Sequence, residues 1–468
     1  MTKKTVAKDR AGKEGRGRQM ARRKAIRIER CILLIGVCCF LFVFAGCPNG
    51  GNGDPDNGNG APQARPLLLA HYMPWFRGPS NITEESIAST YGYHWRNDRA
   101  AVTLPGGRAD IPFAQYPLTG PYHSSNPDLL DYQVSLFIIA GIDGVIFDWY
   151  GAYDSNDFGE NQGYTIAMAD ALIRAGLKFS VMYEDNTMNM MGLQSNRDEG
   201  MRRGKISMDW LENGAAAEGS FGAVGVPWFK HDLYVKYEGR PLLFDFGPQY
   251  FSSKANWDTL FEDLGSRPYF VDLDNRTSFA DASFPWPPMH MSGQVEPGIV
   301  TMAQLNSFMG EFYRSKQRNR PYKITSAWAA FDSGAGRIPY NDGEVFDHLW
   351  KMAVDFEPGI IQLVTWNDFQ EGTCIEPSIE RGYNELEYIQ ARVKEWDSGF
   401  PFTKEDLRWP LEFYKLRYTQ TATAAQEAAI KAATDALFAG NAALYREKAA
   451  ETGASIDMND VKPLLRDN

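Results

Sequence analysis

The sequence predicts a single (β/α)8 barrel of the α/β class, followed by a helical C-terminal extension. Three observations predict it. Eight short, β-rich apolar runs recur between residues 66 and 380. Helical patterns separate them, the alternation expected of parallel βα units. Each run also ends in acidic and aromatic residues, as in barrels that build their site at the carboxyl ends of the strands.

The elements follow in chain order. Residues 1–47 read as an export signal. They hold 12 Lys/Arg against 3 Asp/Glu and end in a sixteen-residue uncharged stretch from Cys31 to Gly46. That stretch is short of the roughly 20 apolar residues needed to cross a bilayer. The box Phe44-Ala45-Gly46-Cys47 resembles a bacterial lipoprotein cleavage site, with Cys47 as the lipidated residue. This implies a cell-envelope location, lipid-anchored and extracytoplasmic, with simple secretion as the alternative. Met20 offers a more conventional start than Met1. Residues 48–65, rich in Gly, Asn and Pro, read as a flexible tether.

The eight strand candidates are 66–76, 144–151, 178–185, 241–248, 267–274, 284–291, 322–332 and 360–373. Several are continuously apolar, as strands covered on both faces are. Helix candidates lie at 126–141, 165–176, 201–217, 256–264, 302–318 and 344–356. Residues 275–283 make a poor helix, and the sixth and eighth units are the weakest of the eight. Residues 79–125 form a long excursion after the first strand, a length associated with functional loops. The barrel spans 66–380. Residues 381–468 form the extension, with helical patterns at 383–397, 403–417 and 422–452, the last broken by Gly440.

Composition narrows the function. Of 48 basic and 59 acidic residues, 36 and 56 lie beyond residue 47. So acidic a chain offers no footprint for a phosphate backbone, and no nucleic-acid partner is expected. Cys374 is the one cysteine after Cys47, which leaves no disulfide framework and no zinc spacing. The sequence has no G-x-S-x-G elbow, P-loop, dinucleotide fingerprint or H-E-x-x-H. No cofactor and no metal are expected, Asp272 and Asp274 being read as structural.

The strand ends carry His71, Tyr72 and Trp75; Asp148, Trp149 and Tyr150; Glu184 and Asp185; Asp245; Asp272 and Asp274; Trp286 and His290; Trp328 and Asp332; and Trp366, Asn367, Asp368 and Glu371. Five of the twelve tryptophans fall there. Flat aromatic faces cover the C–H faces of pyranoses, and carboxylates accept from hydroxyls. A carboxyl pair is also what cleaves a glycosidic bond. The pattern points to a polysaccharide or oligosaccharide substrate; a monomer is expected.

The eighth run is recognisable. Val364-Thr365-Trp366-Asn367-Asp368-Phe369-Gln370-Glu371-Gly372-Thr373, then Ile375-Glu376-Pro377, resembles two glycosidase groups. Its first half is similar to the W-N-D-Y-x-E motif of glycoside hydrolase family 71, the α-1,3-glucanases. Its second half is similar to N-E-W-x-E-G-T-x-I-E-P of family 99, the endo-α-1,2-mannosidases. Residues 117–131, His94-Trp95 and the GIDGVIFDWYG segment at 141–151 resemble the same groups.

The resemblance implies an endo-acting glycoside hydrolase on α-mannan or α-glucan, with Asp368 as base and Glu371 as general acid. Family 71 activates water and inverts the anomeric centre; family 99 uses a Glu at the Asp368 position and retains it. The Asp here leans the reading toward inversion. Glu184 is implied as a substrate contact. Trp75, Trp149 and Trp328 are stacking candidates. His71, Tyr72, Tyr122 and Asn367 are polar groups expected near the mouth to orient sugar or Asp368, and Asp148 joins them as a substrate-binding acid. Two other functions fit the same barrel: a non-catalytic glycan-binding lipoprotein, and a sugar-transferring enzyme. The absence of a nucleotide-sugar phosphate site argues against a nucleotide donor.

Overall fold

The computed structural model describes residues 65–78, 91–95, 110–153, 155–214, 222–316, 319–419, 421–456 and 458. The signal, Cys47, nearly all of the tether and much of the 79–125 excursion lie outside the described residues.

Eight parallel strands form a nearly closed barrel. They are β1 (Leu67–Tyr72), β2 (Gly144–Trp149), β3 (Lys178–Tyr183), β4 (Arg240–Asp245), β5 (Tyr269–Leu273), β6 (Ala282–Phe284), β7 (Ile324–Trp328) and β8 (Ile360–Val364). Ladders run in the order β6-β5-β4-β3-β2-β1-β8-β7. Leu67 pairs with Ile360 and Ala70 with Leu363, which joins the first strand to the last. The β6 and β7 strands lie side by side without a ladder, so one seam closes by packing. Nearly every strand residue is buried, because helices cover the outside and side chains fill the inside.

The helices are α1 (Pro127–Ala140), α2 (Phe158–Arg174), α3 (Arg197–Asn213), α4 (Lys254–Phe261), α5 (Met302–Glu311), α6 (Glu344–Asp355), α7 (Asn384–Trp396), α8 (Trp409–Tyr418), α9 (Ala424–Phe438) and α10 (Ala442–Glu451). Their local chemistry explains the boundaries. Asn126 accepts from the N–H groups of Asp128 and Leu129, and Pro127 opens α1. Gly141 closes it at φ 82, a left-handed conformation suited to glycine. Capping boxes pair Thr301 with Gln304 and Thr423 with Gln426. Helices α8 and α9 pack on α1, so the extension rests on the barrel. Among the described residues no helix is long and apolar enough to cross a membrane.

Several boundaries depart from the sequence reading. Helix α2 starts at Phe158, not Thr165, because packing overrides the poor propensity of Gly159 and Gly163. Helix α5 stops at Glu311, and residues 312–316 form a wider π turn. The sixth strand is 282–284, not 284–291. Pro285, Pro287 and Pro288 carry no N–H to continue a ladder. The links from β5 to β6 form no helix.

Candidate functional site

The turn after β8 organises the carboxyl end of the barrel. It leaves the strand through a cis Val364–Thr365 peptide. Its base is tied by Thr365 N–H to the Thr373 carbonyl (3.2 Å) and Ile375 N–H to the Thr365 carbonyl (3.0 Å). The two threonine hydroxyls also meet at 2.9 Å. Inside the turn, Thr365 Oγ1 accepts the Asp368 N–H at 2.8 Å, and Asp368 Oδ1 accepts the Glu371 N–H at 2.9 Å. Side-chain caps of this type fix a tight turn without regular secondary structure.

Four carboxyl groups from three strand ends act on one another here: Asp148 near the end of β2, Glu184 after β3, and Asp368 and Glu371 after β8. Asp148 and Asp368 are nearly enclosed, at 3 % and 4 % exposure. Burial pushes Asp368 up to about 6, against the pull of the Glu371 and Gln370 N–H groups. Burial, then the charges of Asp368 and Asp148, push Glu371 up to about 8. Burial and Asp368 hold the proton on Asp148, whose Oδ1 has no hydrogen-bond partner in the protein. Glu184 is raised by burial, then by Asp148, Asp185 and Glu371; Arg276 opposes that rise. Burial raises all four carboxyls, and repulsion within the cluster adds to the rise of Asp148, Glu184 and Glu371.

A cavity of about 710 Å³ opens beside this cluster, lined by residues 111–114, 332–334, Gln370 and Glu371. Its size lies in the usual range for ligand pockets. The Asp332 N–H donates to the Glu371 carbonyl at 2.7 Å, which joins the loop after β7 to the acid turn.

The remaining predicted site residues divide. Trp75 is half-buried at the mouth, but His94 stacks on it at 4.3 Å and 7°, so one indole face is taken. His71 sits inside the barrel with its Nδ1 3.3 Å from Gln362 Nε2 and its ring edge-on to Trp286. Burial lowers it to about 3, so it stays neutral.

Tyr72, Tyr122, Trp149, Trp328 and Asn367 are fully enclosed. Trp149 and Trp328 were stacking candidates, and Tyr72, Tyr122 and Asn367 groups expected to orient sugar or Asp368. Tyr72 donates to Gln133 of α1 at 2.8 Å, and Trp149 donates to Gln162 of α2 at 2.6 Å. Both therefore face the surrounding helices. Tyr122 and Asn367 bond to each other and hold the acid turn from behind. Trp328 ends β7, its indole N–H unpartnered.

Several residues were missed. His94 lies 3.2 Å from Asp157 and from Gln370 Nε2, beside Glu371. Glu376 and Gln133 form a buried polar pair at 3.1 Å. A lone Gln inside the apolar α1 segment is a signal that would have found the latter. Among the described residues no group of three or more His, Cys, Asp or Glu is arranged to hold a metal ion. Asp272 and Asp274 instead accept the N–H groups of Thr277 and Trp286.

No protein-family model matches the chain, and no curated protein does. Among solved structures, it is similar to the family 99 endo-α-mannosidase of Bacteroides thetaiotaomicron. In that enzyme's complex with BIS-TRIS-propane the identity is 17% and the TM-score 0.49, over 71% of this chain and 97% of the other. A second structure of the enzyme gives 16% and 0.48 over the same shares. A glycoside hydrolase-like protein gives 13% and 0.46, over 73% of this chain and 97% of the other.

Proposed function

We propose that this protein is a glycoside hydrolase that cleaves α-linked polysaccharide internally, with Glu371 as general acid and Asp368 as base. The observation that carries the reading is the split between two carboxyls three residues apart on one turn. Glu371, pushed up to about 8, keeps its proton at neutral pH; Asp368, pushed up only to about 6, has lost it. Two acids with separated titrations are what acid/base glycoside cleavage requires.

In the proposed course, Glu371 gives its proton to the glycosidic oxygen as the C1–O bond breaks. Asp368 takes a proton from the water that attacks C1. The products are a hemiacetal and a free hydroxyl, and the two carboxyls exchange protonation states until solvent resets them. Asp is one methylene shorter than Glu, which leaves more room for that water, as an inverting enzyme needs. Asp148 and Glu184 supply further groups for sugar hydroxyls. The acidic rim and the signal-like N-terminus support an exported enzyme on the cell envelope, with Cys47 as lipid anchor.

The test is a panel of α-mannans and α-glucans offered to the wild-type protein, with product sizes and the first-formed anomer followed by proton NMR. Internal cleavage with inversion is the expected result. Binding without cleavage across the panel would transfer the assignment to a glycan-binding protein.

A further inference from the structure

Behind the acid turn, away from the cavity, runs a buried chain of polar side chains that the proposed chemistry does not use. Tyr72 Oη donates to Gln133 Oε1 at 2.8 Å, and Gln133 Nε2 donates to Glu376 Oε1 at 3.1 Å. From the other side, Asn367 Nδ2 donates to Tyr122 Oη at 3.1 Å, and Tyr122 Oη donates to Glu376 Oε2 at 2.7 Å. Asn367 is clamped at both ends of its amide. Its Oδ1 accepts the Met73 N–H at 2.8 Å, and its Nδ2 donates to the Met73 carbonyl at 3.0 Å. Asn367 is peptide-bonded to Asp368.

We propose that Glu376 is a positioning residue that sets the orientation of Asp368 through Tyr122 and Asn367. Its kinetic consequence rests on the glycosidase reading above. Both oxygens of the Glu376 carboxyl accept, one from each branch, and every donor in the chain is aimed toward it. Glu376 is itself fixed by its own N–H, which donates to the Trp366 carbonyl at 2.9 Å. It is 2 % exposed, so water does not compete for these bonds. The chain joins four separate segments: α1, the end of β1, the stretch around Tyr122 and the turn after β8. With three bonds to break, the Asn367 side chain cannot rotate without releasing the backbone that carries Asp368. A base displaced by a fraction of an ångström loses much of its effect.

The experiment removes one hydroxyl. Tyr122→Phe keeps the ring against Phe76 and Phe369 but cuts the link between Glu376 and Asn367. Expected is a fall in kcat of roughly tenfold to a hundredfold with KM little changed. In an Asp368→Asn background the same replacement is expected to leave the residual kcat unchanged, since its effect passes through Asp368. An equal loss in both backgrounds would overturn the proposal in favour of a merely structural hydroxyl. A second measurement does not depend on activity. Hydrogen exchange at the amides of Asp368 and Glu371 should quicken by about tenfold in Tyr122→Phe, with α7 unaffected. Unchanged protection there also overturns it. Should the wild-type protein cleave no glycan, the glycosidase reading fails and the exchange result alone decides this one.

Discussion

The backbone N–H of Glu371 donates to the Asp368 carboxylate across 2.9 Å, so the proposed base holds the proposed acid in place. Neither residue can shift without the other. The same contact draws the Asp368 titration down while the Asp368 charge drives that of Glu371 up. One hydrogen bond thus helps to separate two groups that burial alone would raise together.

Replacing Asp368 by Asn tests the base without dismantling the turn. The Asn oxygen can still accept the Glu371 N–H, and the Asp368 N–H still reaches Thr365 Oγ1. Turnover should fall by about 10²–10⁴, with a melting temperature equal to that of the wild type or higher, because a buried carboxylate has been neutralised. The measurement is kcat on a cleaved glycan beside a thermal melt. Wild-type turnover in this variant would remove Asp368 from the mechanism.

The pH profile follows from the two titrations. Activity needs Asp368 ionised and Glu371 protonated. The kcat/KM profile should therefore rise as pH passes about 6 and fall as it passes about 8. In Glu371→Gln the alkaline limb should vanish, leaving a low plateau above about pH 6. Persistence of that limb would assign it to another group.

Much of this arrangement was legible in the sequence, and the limits were physical. The run at 360–364 is apolar except for Gln362, and two acids three residues apart follow it, so the strand and its acids could be read directly, although the strand itself stops at Val364 and not at 373. Which face each residue takes could not. Asp148 and Trp149 are neighbours on β2, and a strand buried on both sides gives no alternation to say that Asp148 joins the acid cluster while Trp149 meets α2. Glu376 was visible only as part of a motif. Its partners Tyr122 and Gln133 lie 254 and 243 residues away, and one sequence carries no record of such pairings. The β6 strand failed because its aromatic residues suggested β structure while its prolines forbade a ladder.

Stability should decrease toward alkaline pH. The Glu376 carboxyl is pushed by burial from its ordinary 4.5 to about 8, despite the donors Gln133 and Tyr122. Folding thus favours its protonated form. That contribution is complete below about pH 4.5 and disappears as pH rises through about 8. Asp148 and Glu371 are raised too and act in the same direction. The melting temperature should be higher at pH 5 than at pH 9. In Glu376→Gln, which has no proton to lose, the difference should shrink. A wild-type protein more stable at pH 9 than at pH 5 contradicts the direction of all three shifts.

The last prediction concerns Gly144, which opens β2. A methyl group there would lie 1.8 Å from the Lys178 carbonyl oxygen on β3 and 2.5 Å from its carbon. Both are backbone atoms of a paired strand, since Gly144 and Lys178 are register partners. No side-chain rotation relieves such a clash, so the β2–β3 ladder must part at its first pair. Overpacking of this kind costs about 1–3 kcal/mol where neighbours can move, and more where they are backbone. Gly144→Ala should lower the melting temperature by several degrees or prevent soluble expression. Gly176→Ala is the matched control. Its φ of 72° is unfavourable to alanine, but nothing lies within 4 Å of its added methyl, whereas Gly144 has no left-handed φ and only the close approach of β3. It should therefore carry only the smaller backbone penalty. A loss in Gly144→Ala no larger than that in Gly176→Ala would show that the approach of β3 is not what demands glycine at 144.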